Sequence, residues 1–109
     1  MDERDRQIVA EFKRRISADV LSHVRRIIVF GSRATGKATE DSDLDIIVLV
    51  DEKTSGLENS LDDVAYDVMW DHEFKPIISL KVFTEARFKS SRERGFSFYK
   101  NVEREGVLV

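Results

Sequence analysis

The residues best suited to chemistry are Gly31, Ser32, Asp43 and Asp45, arranged as Gly-Ser, ten intervening residues, then Asp-Leu-Asp. Asp43 and Asp45 open an apolar run. Positions i and i+2 of a strand project from one face, so both carboxylates can address one point. Two carboxylates about 5 Å apart repel by roughly 3 kcal/mol at an effective dielectric near 20. A divalent cation reverses that penalty, and hard oxygen ligands suit Mg²⁺ or Mn²⁺. Gly31 and Ser32 close an earlier apolar run with bare backbone and a hydroxyl. N–H groups at a helix start, the helix dipole and a hydroxyl donor together suit a phosphate. Metal and phosphate in one place point to nucleotide chemistry. Read alone, each half has a plainer meaning: a Gly-Ser after a strand is usually a turn, and Asp43 could cap a turn while Asp45 faces solvent. A calcium loop is excluded. Asp41, Asp43, Asp45 and Glu52 follow the EF-hand pattern, but the position that must be glycine is Ile46.

These residues need elements to hold them. Arg26 to Phe30 is a β-branched run that stops at Gly31, which predicts a strand. Ser32 to Ala38 can form a short helical turn with Gly36 as its stop. Leu44 to Val50 predicts a second strand, apolar enough for the inside of a sheet. Ile8, Val9, Phe12 and Ile16 fall at helical spacing, so residues 3–17 read as an amphipathic helix. After a turn from Asp51 to Gly56, the positions of Leu57, Leu61, Val64, Ala65, Val68 and Met69 mark a second long helix. Pro76 to Phe83 predicts a third strand. Thr84 begins a last helical region that carries Phe88, Phe96, Phe98, Tyr99 and Val102 and ends at Gly106. Alternating strands and helices predict an α/β (α+β) fold, a small mixed sheet flanked by helices. Three strands make it narrow, with edges exposed or covered by a partner. Trp70, Phe74, Phe83 and Phe88 are expected in the core, and the Phe96, Phe98 and Tyr99 group is read first as core too, with part of it exposed for a partner as the alternative. His23 and His72 are expected at the surface or at helix caps, and Asp62, Asp63 and Asp67 on the polar side of the second helix.

Composition narrows the class. With 109 residues the chain is read as a single domain spanning 1–109. The 41% hydrophobic and 36% charged content argues against disorder. A net charge of −3 offers no global attraction to nucleic acid or acidic membranes. The tail has basic residues from Arg87 to Arg104, but interleaved glutamates favour a solvated face over a nucleic-acid patch. The absence of cysteine excludes disulfides, thiol catalysis and Cys-zinc sites. No run is long enough for a membrane span, and the charged start Met1-Asp2-Glu3-Arg4-Asp5-Arg6 is unlike a secretory signal. The expected location is cytoplasmic.

Together, Gly31-Ser32-Arg33-Ala34-Thr35-Gly36 and Ser42-Asp43-Leu44-Asp45-Ile46-Ile47-Val48 resemble the signature of the minimal nucleotidyltransferases (MNT). These are small members of the DNA polymerase β-like nucleotidyltransferase superfamily. The similarity reaches most of the chain, from leading helix to terminal helix. It implies that Gly31 and Ser32 hold the β- and γ-phosphates of ATP or another nucleoside triphosphate, with Arg33 helping to neutralise them. It implies that Asp43 and Asp45 are the catalytic carboxylates and hold two Mg²⁺ ions, with Mn²⁺ as the alternative. The reaction implied is in-line transfer of a nucleoside monophosphate to an acceptor hydroxyl, with release of pyrophosphate.

Two departures stand out. The family often has arginine where this chain has Thr35. Members also commonly carry a third carboxylate on the third strand, where alignment places Ser79, and no acidic residue lies between Pro76 and Thr84. Short chains of this kind resemble the antitoxin of HEPN/MNT toxin–antitoxin pairs, which moves AMP from ATP onto a tyrosine of a HEPN-domain toxin. A protein partner of that type is therefore expected, and a homo-oligomer is compatible with the exposed sheet edges. Two other readings stay open: a catalytically weak or inactive subunit that neutralises its partner by binding, and a transferase acting on nucleic-acid ends.

Overall fold

The computed structural model describes residues 1–109. Helix α1 spans Glu3–Arg15. The Asp2 side chain caps it by accepting from the Asp5 N–H at 2.8 Å. Acidic residues in its first turn and Lys13, Arg14 and Arg15 in its last complement the helix dipole. Helix α2 (Ala18–Leu21), which the apolar periodicity does not reveal, is a single turn begun by Ser17. Strand β1 (Val24–Phe30) leads into α3 (Ser32–Thr35), and strand β2 (Leu44–Val50) begins where the apolar run predicts. Helix α4 (Ser55–Asp71) starts behind Thr54, whose hydroxyl accepts from the Leu57 N–H, and strand β3 (Ile78–Thr84) follows. The last helical region is two helices, α5 (Glu85–Glu93) and α6 (Ser97–Glu105). The break falls at Gly95, with φ +84°, a conformation that glycine adopts without strain.

The sheet has four strands in the order β3-β2-β1-β4, one more than expected. β4 (Val107–Leu108) pairs antiparallel with β1, covering an edge that a three-stranded reading leaves open. β1 and β2 are antiparallel, and β2 and β3 are parallel through α4. Alternate β2 residues serve two cores. Leu44, Ile46, Val48 and Val50 pack with Ile8, Phe12, Leu61 and Val68 of α1 and α4. Ile47 and Leu49 pack with Ile28 of β1, Phe88 of α5 and Val102 of α6. Asp45 has the parity of Ile47 and Leu49, so it lies on the α5/α6 face of the sheet.

The aromatic expectations hold in part. Phe88 is fully buried and Phe83 packs partly buried beside it, but Trp70 is 65% exposed. The reason is angular: Leu61, Ala65 and Val68 take the buried side of α4, and Trp70 shares the outer side with Tyr66, edge-to-face with Phe74 at 6.0 Å. Phe96 and Phe98 are exposed, while Tyr99 turns in against Phe88 at 5.5 Å. His23 pairs with Asp51, and His72 caps α4 and pairs with Glu11 at 2.9 Å, both at the surface as expected.

Candidate active site

β1 delivers Gly31, and the antiparallel register sets Phe30 opposite Asp45. Gly31 has φ +78° and ψ −162°, and a Cβ placed on it would lie 2.5 Å from Asp45 Oδ2. A side chain at position 31 is excluded twice, by backbone conformation and by the carboxylate pressed against it. The turn then opens α3, which ends at Gly36 in the left-handed region. Tertiary structure thus joins the two halves of the motif: the Gly31–Ser32 backbone lies beside the Asp45 carboxylate.

Asp43 is exposed and precedes the strand rather than lying in it. β2 pairing begins with the Leu44 N–H, which donates to the Ile77 carbonyl at 2.8 Å. Its charge nonetheless acts on Asp45. Burial first, then repulsion from Asp43, push the Asp45 carboxyl above the ordinary carboxylate range, while the Lys81 ammonium pulls it down. No hydrogen-bond donor contributes to that balance. A half-buried carboxylate, repelled by a neighbour and without a donor, is a group that a cation would stabilise. In its chemistry, the Asp43 and Asp45 pair fits a divalent ion.

Ser79 is the register partner of Asp45 on β3, so it shares that face of the sheet. The position beside the paired carboxylates carries a hydroxyl, and nowhere does the fold gather three His, Asp or Glu side chains in an arrangement that could hold a metal ion. Lys81, two residues further along β3, is on the same face and exposed.

Arg33, expected near phosphates, is placed with other partners. Its guanidinium pairs with both Asp5 carboxylate oxygens, at 3.1 and 3.2 Å. It also donates from Nε to the Ser42 carbonyl at 2.7 Å and from Nη2 to the Thr39 and Glu40 carbonyls. Asp5 is 2% exposed, the one buried charged residue of the chain. This pair fastens the loop between Gly36 and Asp43 to α1, and so sets the approach of Asp43.

Two residues escape sequence reasoning. Asp5 looks like an ordinary first-turn acid, and nothing local shows that α1 begins beside α3. Lys81 had a signal, since a period of two from Ser79 puts it on the same face. Above the site, Phe98 of α6 meets Phe30 edge-on at 5.6 Å, an aromatic wall next to the Asp45 register position.

Comparison with known proteins agrees with this geometry. A family model described as a nucleotidyltransferase domain matches residues 6–109. Two proteins of Methanocaldococcus jannaschii, each named a "putative protein adenylyltransferase", are similar throughout. One is 33% identical over 106 residues, 94% of this chain and 96% of that protein. The other is 27% identical over 109 residues, 96% of this chain and 97% of that protein. With a four-stranded mixed sheet flanked by helices and a Gly-Ser turn set against Asp45, the chain belongs to the nucleotidyltransferase domain family, as a minimal member with a polymerase β-like core.

Proposed function

We propose that this protein is a Mg²⁺-dependent nucleotidyltransferase that moves AMP from ATP to a hydroxyl of a protein partner. The observation that carries the reading is the contact between Gly31 and Asp45, which admits bare backbone but no side chain and so sets the Gly-Ser turn against the carboxylate. The Ser32 hydroxyl and the N–H groups opening α3 would face the β- and γ-phosphates. Asp43 and Asp45 would hold Mg²⁺, which supplies charge neutralisation for the triphosphate when bound. The acceptor oxygen forms a bond to the α-phosphorus, the bond from that phosphorus to the pyrophosphate oxygen breaks, and the acceptor proton passes to water. Ser79 offers no base at neutral pH, so rate comes from placement and charge stabilisation. Arg33 acts in this scheme by holding the loop that ends in Asp43.

Support for a protein acceptor comes from the names of the two archaeal relatives. The resemblance to antitoxins of HEPN/MNT pairs makes a HEPN-type toxin the acceptor, silenced by AMP on a tyrosine. The test is transfer of label from α-phosphate-labelled ATP into protein, in a lysate of the source cells supplemented with Mg²⁺. A labelled band that is absent with the Asp43→Asn/Asp45→Asn variant supports the reading. Equal labelling by that variant sinks it.

Ser79 opposite Asp45 motivates a second reading, a non-catalytic subunit that neutralises its partner by complex formation. Protection of cells from the partner by the double Asp variant, together with no labelling from any nucleoside triphosphate, selects this reading.

A further inference from the structure

Away from the carboxylates, α5 and the start of α6 flank an open cleft of about 440 Å³, lined by Arg87, Ser90, Ser91, Arg94, Phe96 and Tyr99. The volume falls within the range of small-molecule sites, roughly 300–1,000 Å³. Four of these residues follow at i, i+3, i+4 and i+7 and share one side of α5. The glutamates that dilute the basic tail in sequence do not line the cleft. Glu103 is bound to Arg92 at 3.1 Å, and Glu105 lies near Arg104. Arg87 and Arg94 have no carboxylate partner, so two guanidinium charges and two hydroxyls face one opening with no acid among them. Arg94 also lies over the Phe96 ring at 5.4 Å, which holds its fork at the cleft wall.

We propose that this cleft is a second, non-catalytic site for a nucleoside monophosphate. Two guanidinium groups match the double charge and multiple oxygens of a phosphate monoester, and Ser90 and Ser91 add hydroxyl donors. A carboxylate would leave half of that charge unmatched. The C-terminal end of α5 opposes an anion with only about half an elementary charge. Phe96, half exposed, and Tyr99 provide the apolar rim against which a base stacks. The same phosphate and base could come from a free mononucleotide or from the 5′-phosphorylated end of a single strand. The site does not depend on the transferase reading, because its lining comes from α5, α6 and the turn between them and includes none of Gly31, Ser32, Asp43 or Asp45.

The test is titration of the full chain with AMP in EDTA, which silences a carboxylate-held cation, read by calorimetry and by amide and arginine NMR shifts. Expected are shifts confined to residues 87–99, AMP binding retained in Asp43→Asn/Asp45→Asn, and affinity weakened about tenfold or more in Arg87→Gln/Arg94→Gln. Arg87 lies in the first turn of α5 and Arg94 caps its C-terminal end, both with exposed side chains, so this variant keeps its fold, checked by circular dichroism. Phe96→Ala should weaken AMP while leaving inorganic phosphate unchanged. Shifts centred on residues 31–45, adenosine binding as tightly as AMP, or full affinity in the arginine variant would each overturn the site. Comparing AMP with a 5′-phosphorylated tetranucleotide assigns the source: the tighter of the two is the physiological class.

Discussion

Gly31 is where sequence and chemistry meet most closely. Its φ of +78° and the 2.5 Å approach to Asp45 Oδ2 leave no room for a methyl group. Gly31→Ala is expected to destabilise the fold by about 1–3 kcal/mol, measured by urea unfolding, and to abolish nucleotidyl transfer because Asp45 must move. Asp45 itself is placed against stability. Burial and the Asp43 charge raise its carboxyl pKa, so the ionised form is disfavoured in the folded state. Asp45→Asn should therefore raise the thermal midpoint at pH 7 while lowering transfer by about a hundredfold or more. A midpoint unchanged or lowered would show that the carboxylate is already compensated.

At the scale of elements, the site depends on how α1 meets the loop between α3 and β2. The Asp5–Arg33 pair is nearly dry, and Arg33 also binds three carbonyls of that loop. Removing one partner strands the other. Asp5→Ala is expected to cost about 3–5 kcal/mol, and Asp5→Leu/Arg33→Met should recover much of that loss. Transfer should remain low in both, because the loop that brings Asp43 to Asp45 has lost its anchor. Denaturant midpoints and single-turnover labelling of the two variants separate stability from positioning. Full activity in the double variant would make the pair purely structural.

Over the whole molecule, opposing carboxylate shifts predict a stability maximum in mild acid. Asp45 and Asp62 are raised, each first by burial and then by neighbouring acids. As pH falls from neutral, the folded state takes up their protons before the unfolded chain does, so stability rises. Glu11 is lowered from 4.5, chiefly by its hydrogen bond to His72. Asp51 is lowered from 3.8, where burial pulls upward but the His23 hydrogen bond and nearby charges win. Below those ordinary values the unfolded chain binds more protons and stability falls. Thermal midpoints should climb from pH 7 towards about pH 5 and then decline. In Asp45→Asn the climb should be smaller, which assigns it to the site.

The sequence by itself determined the elements whose cause is local. β2 is legible because its run of apolar residues must be covered on both faces, and the Thr84 cap because a hydroxyl precedes an acidic first turn. The Gly-Ser and Asp-x-Asp pairing was legible because its residue types have few other uses at that spacing. Tertiary structure alone decided what depends on distant chain meeting in space. β4 is two residues long and has no periodicity to read; only β1's open edge makes it a strand. Trp70 lies outside because Leu61, Ala65 and Val68 claim the inner side of α4. Arg33 turns to Asp5 because a buried carboxylate 28 positions away needs a partner. Contacts between residues remote in sequence leave no local pattern, so the placement of these charges followed from packing and not from spacing.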